Sequence, residues 1–153
     1  MGSTDTSVHT VTLAIASKIL DEALAAGRAM KLQPLSVAVL DGGGQLIAFK
    51  REDNSSLLRF EIAFGKAWAS LGMGRPSRGF EKLALDRPHF VNSLVGASGG
   101  RFVPVAGGVL IRNEGGKIIG AVGISGDTSD NDEKCAIQGI QSAGLISDPK
   151  SPA

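Results

Sequence analysis

Two pairs of short apolar runs, each joined by a glycine-rich turn, constrain this chain more than any other feature of its sequence. Leu35 to Leu40 leads through Asp41-Gly42-Gly43-Gly44 into Gln45 to Lys50, and Val109 to Ile111 leads through a turn at Asn113 to Gly116 into Ile118 to Ile124. Reversals this short make antiparallel hairpins, because parallel strands need a long crossover. Elsewhere apolar residues recur at helical spacing: Leu13, Ala16, Ile19, Leu20, Ala23, Leu24 and Gly27 in a first helix ending near Met30, then Phe60, Ala63, Phe64, Ala67, Trp68 and Leu71 in a second. Gly72, Gly74 and Pro76 stop the second. Ser77 to Asp86 reads as a short helix, Pro88 to Leu94 as another short piece with His89 in a loop, and a last helix starts at Ser129 or Asp130. The order helix, hairpin, helices, hairpin, helix predicts an α/β (α+β) protein with helices packed on an antiparallel sheet.

A chain of 153 residues is long enough for one ordinary core. The sequence predicts a single domain over 1–153, with a core of about 12–145, a fraying polar start from Met1 to Ser7 and a loose tail after Leu145. Sixteen basic and fifteen acidic residues, scattered rather than clustered, argue against a nucleic-acid partner. No apolar run approaches the roughly 20 residues of a bilayer span, and the first residues lack the pattern of a secretory signal. No membrane partner and a cytoplasmic location are the expectation.

Familiar chemical signatures are absent. Gly65-Lys66 is followed by Ala67, so no phosphate-binding G-x-x-x-x-G-K-[ST] loop exists, and no G-x-G-x-x-G follows a strand. Gly120, Gly123 and Gly126 fit close backbone packing at a strand end. Two histidines, His9 and His89, and one cysteine make poor material for a triad or a metal site, so no metal is expected.

A smaller set of candidates remains, each with a plain structural alternative. Lys66 lies in an otherwise apolar helix, where desolvation would lower its pKa for anion binding or proton transfer; the alternative is a side chain that snorkels from the core edge. Asp132 and Glu133 open the last helix beside Asp127 and Asp130, where acidic residues also simply suit the helix dipole. Asp130-x-x-Glu133 resembles a capping box, which makes Glu133 the capping group and Asp132 the functional candidate. Arg51 and Asp53 fit an anionic substrate or a surface pair. Gly107-Gly108 offers backbone N–H groups to a carboxylate or phosphate, or is a plain turn. Cys135 is a thiol activated by the dipole or a small buried apolar residue.

Taken together, SVAVLDGGGQLIAFKRED, EIAFGKAWAS and VAGGVLIRNEGGKIIGAVGISGDTSDNDEKCA resemble the GlcG/HbpS-like family, which includes the C-terminal domain of PduO-type proteins. The resemblance runs from about Leu13 to Leu145. It implies a profilin-like sandwich with a central antiparallel sheet of about five strands, helices on both faces, and homo-oligomers built from dimers. Its pattern falls on Asp41, Arg51, Lys66, Gly107, Gly108, Gly123, Ser125, Gly126, Asp132 and Glu133. Some relatives bind haem or corrinoid-linked partners, so haem enters as a cofactor by resemblance alone. Neither His9 nor His89 matches a family motif for a haem ligand.

Three functions follow as expectations. The first is a small-molecule-binding protein whose ligand is haem or a related compound. The second is a cofactor-independent isomerase, tautomerase or lyase (dehydratase) acting on a small oxygenated metabolite. In that reading Lys66 and Asp132 are the catalytic pair and Arg51, Gly107, Gly108 and Glu133 bind the ligand. The third is an accessory or assembly subunit.

Overall fold

The computed structural model describes residues 8–153, so the expected fraying of Met1 to Ser7 falls outside the described residues. Five strands, β1 (Ser36–Asp41), β2 (Leu46–Arg51), β3 (Gly108–Arg112), β4 (Ile118–Ser125) and β5 (Ile146–Asp148), form one antiparallel sheet in the order β2-β1-β4-β3-β5. Both expected hairpins are present, and β1 pairs with β4 to join them. Their turns carry the needed chemistry. Asp41 Oδ1 accepts from the Gly43 and Gln45 amides, Asn113 Oδ1 accepts from the Lys117 amide, and Gly44 and Gly116 take the left-handed conformation that closes each reversal.

Helices cover both faces. α1 (Leu13–Ala29), started by the Thr12 hydroxyl, packs beside α5 (Ser129–Ser142) over one face. There Ile19, Leu20 and Ala23 of α1 and Ala136, Ile137 and Ile140 of α5 enclose Val37, Val39, Val109, Val122 and Ile124. α2 (Arg59–Met73) covers the opposite face, over Leu40, Leu110 and Ala121. α3 (Gly79–Asp86) and α4 (Pro88–Ala97) pack against the outer side of α2 around Phe80, Val91 and Phe102. Among the described residues no helix is long and apolar enough to cross a membrane.

Three features depart from the sequence reading. The stretch after Leu145 is not loose: Ile146–Asp148 pairs with Arg112, Ile111 and Leu110, and the Asp148 carboxylate holds the Arg112 guanidinium at 3.0 Å. His89 lies in the first turn of α4 rather than in a loop. Finally, the buried stripe of α2 is shifted: Ala63 and Ala67 are buried as expected, but Lys66 and Ser70 join them, while Phe60, Phe64, Trp68 and Leu71 are half-buried, the last three packed against the Leu40, Leu110 and Ala121 cluster.

Candidate functional site

The burial of Lys66 and Ser70 on α2 has a cause in the sheet beneath it. Gly108 and Gly123 face each other across β3 and β4, leaving a bare patch of backbone. A Cβ on Gly108 would run into the Lys66 carbonyl, and one on Gly123 into the Ala63 carbonyl. Only glycine lets the helix backbone rest this closely on the strands. Lys66 is thereby pressed against the sheet, and its side chain runs past Gly107 to the end of β4.

There Lys66 Nζ donates to the Ile124 carbonyl at 2.8 Å and to Asp132 Oδ2 at 3.2 Å. Gly107 has φ 122°, and a Cβ on it would stand 2.8 Å from that nitrogen. Asp132 comes from the first turn of α5, on the other face of the sheet, and its second oxygen accepts from the Asp127 amide at 3.0 Å. The two side chains are 3% and 1% exposed, so the pair is sealed. Burial pushes Lys66 below its ordinary 10.5, against the pull of Asp132, and pushes Asp132 above 3.8, against the pull of Lys66. Burial favours the neutral form of each group, while the partner favours the charged form.

Beside this pair lies a second one. Glu133, wholly buried, accepts from Arg78 Nε at 2.6 Å through one oxygen, while its other oxygen has no hydrogen-bond partner. Arg78 also reaches Asp130 at 3.3 Å. Glu133 therefore does not cap α5. Thr128 does, its Oγ1 accepting from the Asn131 amide, so the capping box expected at Asp130 is absent.

Gly108 is not available to a ligand either, because its amide donates to Ser77 Oγ at 2.7 Å. Arg51 is exposed on the edge strand β2, opposite Ser36, and no hydrogen bond or ion pair links it to Lys66 or Asp132. Asp53 is exposed in the turn that follows. The arginine near Lys66 is Arg59, which donates to Ser125 Oγ at 2.9 Å and whose charge also lowers the lysine. Cys135 is buried, with its thiol pushed up to about 11 by desolvation, and belongs to the core. Arg59, Ser77 and Arg78 were not among the candidates drawn from the sequence. The only hint was Arg59 and Ser77-Arg78 standing next to helix starts, where a polar side chain has unbonded backbone groups to serve.

Lys66 and Asp132 line neither of two hollows in the surface. A cleft of about 670 Å³ runs between α1, α5 and the C-terminal tail, with Met30, Lys134, Gln138 and Lys150 on its walls. A smaller, largely apolar one of about 160 Å³ lies between α2 and α4, lined by Trp68, Met73, Leu94 and Phe102.

A five-stranded antiparallel sheet with helices on both faces and a sealed lysine–aspartate pair at its end defines a mixed α/β class. Within it the chain belongs to the HbpS-like family, whose model, described as haem degrading protein HbpS-like, matches residues 11–141. Solved structures of the same fold include a PduOC complex with haem, 21% identical with a TM-score of 0.79, covering 89% of this chain and 96% of that one. Klebsiella pneumoniae protein ORFY is 23% identical, with a TM-score of 0.80 over 94% of this chain and 97% of that one. HbpS is 24% identical, with a TM-score of 0.75 over 93% and 96%. No curated protein sequence matches the chain.

Proposed function

We propose that this protein binds haem or a closely related small molecule. The observation that carries the reading is the family match across residues 11–141, supported by the likeness to a fold that has been crystallised with haem. The apolar cleft beside α2 offers one side chain able to hold the iron of such a ligand. Met73 brings a thioether, one of the side chains known to hold haem iron, and Trp68, Leu94 and Phe102 supply the apolar wall. The Arg101 guanidinium stacks 4.4 Å over the Trp68 ring, where it would meet a propionate. At about 160 Å³ the cleft would admit only part of a macrocycle. When bound, haem supplies the iron chemistry; the chain's part is to hold its edge and neutralise its carboxylates.

Haemin titration followed in the Soret band tests this. Saturable binding at low micromolar concentration is expected, with the absorption maximum altered in Met73→Leu. No saturable shift overturns the reading.

A further inference from the structure

Arg59 places a half-buried guanidinium at the start of α2. Its partners are two hydroxyls, Ser56 Oγ at 3.1 Å and Ser125 Oγ at 2.9 Å. Among the described residues no carboxylate stands within ion-pair distance of it. Among the described residues no side chain caps the first turn of α2, whose one acidic residue, Glu61, is exposed to solvent, so its free amides stand beside the arginine. A partly desolvated cation without a counter-charge, at an uncapped helix start, is arranged for an anion.

The strand register supplies the floor of the site. Ser36 of β1 stands opposite Arg51 of β2 on one side and Ser125 of β4 on the other. Residues directly opposite in antiparallel strands project from the same face. The bond from Arg59 to Ser125 identifies that face as the one under α2. Ser36 Oγ is fully enclosed there and makes no hydrogen bond, and the same holds for Ser55 Oγ just ahead of the helix. Leaving such a hydroxyl unbonded is costly, because its desolvation goes uncompensated.

We propose that this end of α2 binds a small oxyanion, a carboxylate or a phosphate. The anion accepts from the Arg59 guanidinium, the Ser36 hydroxyl and the first amides of α2, with Arg51 at the exposed rim. The competing explanation is that Arg59 only pins the helix to Ser125. The site does not depend on haem, and its test is separate from the Soret titration.

Uniformly 15N-labelled protein is titrated with succinate and, separately, with inorganic phosphate, at ionic strength held constant with chloride. Saturable shifts are expected at the Phe60 and Glu61 amides and at Arg59 Nε–H, and the tighter of the two anions identifies the class. Arg59→Gln should weaken binding about tenfold or more, the loss of a charge-assisted hydrogen bond. Ser36→Ala keeps the Arg59–Ser125 pin and should weaken binding several-fold; it decides the matter by itself if Arg59→Gln fails to fold. Shifts that chloride reproduces, or a Ser36→Ala protein that binds as the wild type does, overturn the proposal. Anion binding without a Soret response leaves this site standing and removes the haem reading, and the reverse result does the opposite.

Discussion

Lys66 and Asp132 are each costly to bury alone and tolerated only together. Removing one partner leaves an uncompensated charge in a sealed place, so Lys66→Met and Asp132→Asn should each lose about 3–5 kcal/mol of stability in urea titrations. The double variant should lose clearly less than the two added together, because the sites are coupled. The pair also predicts a pH profile. Asp132 is raised above 3.8, so just above that value the folded chain holds more protons than the unfolded one, and stability falls as pH rises through that window. Lys66 is lowered from 10.5, so below 10.5 the unfolded chain holds more protons, and stability climbs as pH rises towards that value. Urea midpoints of the wild type minus those of the double variant should therefore dip between the two windows. Cys135, with its thiol near 11, should resist alkylation in the folded chain and react only on unfolding, which a thiol-labelling time course measures. Individual residues were readable in sequence where chemistry is local. The lysine in an apolar helix and the acidic pair at a helix start stood out, and Lys66 was set with Asp132, but Arg78 beside Glu133, Ser77 beside Gly108 and Arg59 beside Ser125 did not, since those contacts form only through the fold.

At the level of elements, periodicity located α2 and part of its buried face, and missed Lys66 and Ser70 on it. The stripe of Phe60, Ala63, Phe64, Ala67, Trp68 and Leu71 put its two alanines rightly at the sheet, yet Lys66 and Ser70 are buried beside them and the large side chains are only half-buried. The sheet decides this. Glycines at 108 and 123 admit a helix backbone, and small residues suit the contact, while the large rings pack along the sides, with Phe60 edge-on to Phe49 of β2 at 4.8 Å. Gly123→Ala drives a methyl group into the Ala63 carbonyl and should cost at least about 1–3 kcal/mol in thermal or urea unfolding. Gly96 is the contrasting case. It lies in α4, where an added methyl group would meet nothing within 4 Å, so Gly96→Ala should stabilise by about 0.5–1 kcal/mol in the same measurement. The hairpins were readable because a turn and its flanking runs lie within a few residues of each other.

For the molecule as a whole, the two hairpins and the helix order were enough to reach a sheet covered by helices, but not the way it is finished. The strand order depends on β1 meeting β4, a pairing between distant segments, and the edge of β3 is closed by β5, which is too short and polar to declare itself as a strand. Asp148→Ala, which removes the clasp on Arg112, should lower stability by about 1 kcal/mol, and a chain ending at Leu145 should associate with rising concentration in size-exclusion runs because an unpaired edge is exposed. The lysine that crosses the end of the sheet has one more consequence. It fastens a helix on one side of the molecule to a helix on the other, so neither layer can lift away without breaking the same bond. In hydrogen-exchange measurements the amides around Lys66 and those of the first turn of α5 should open as one unit, and Lys66→Met should separate them into two.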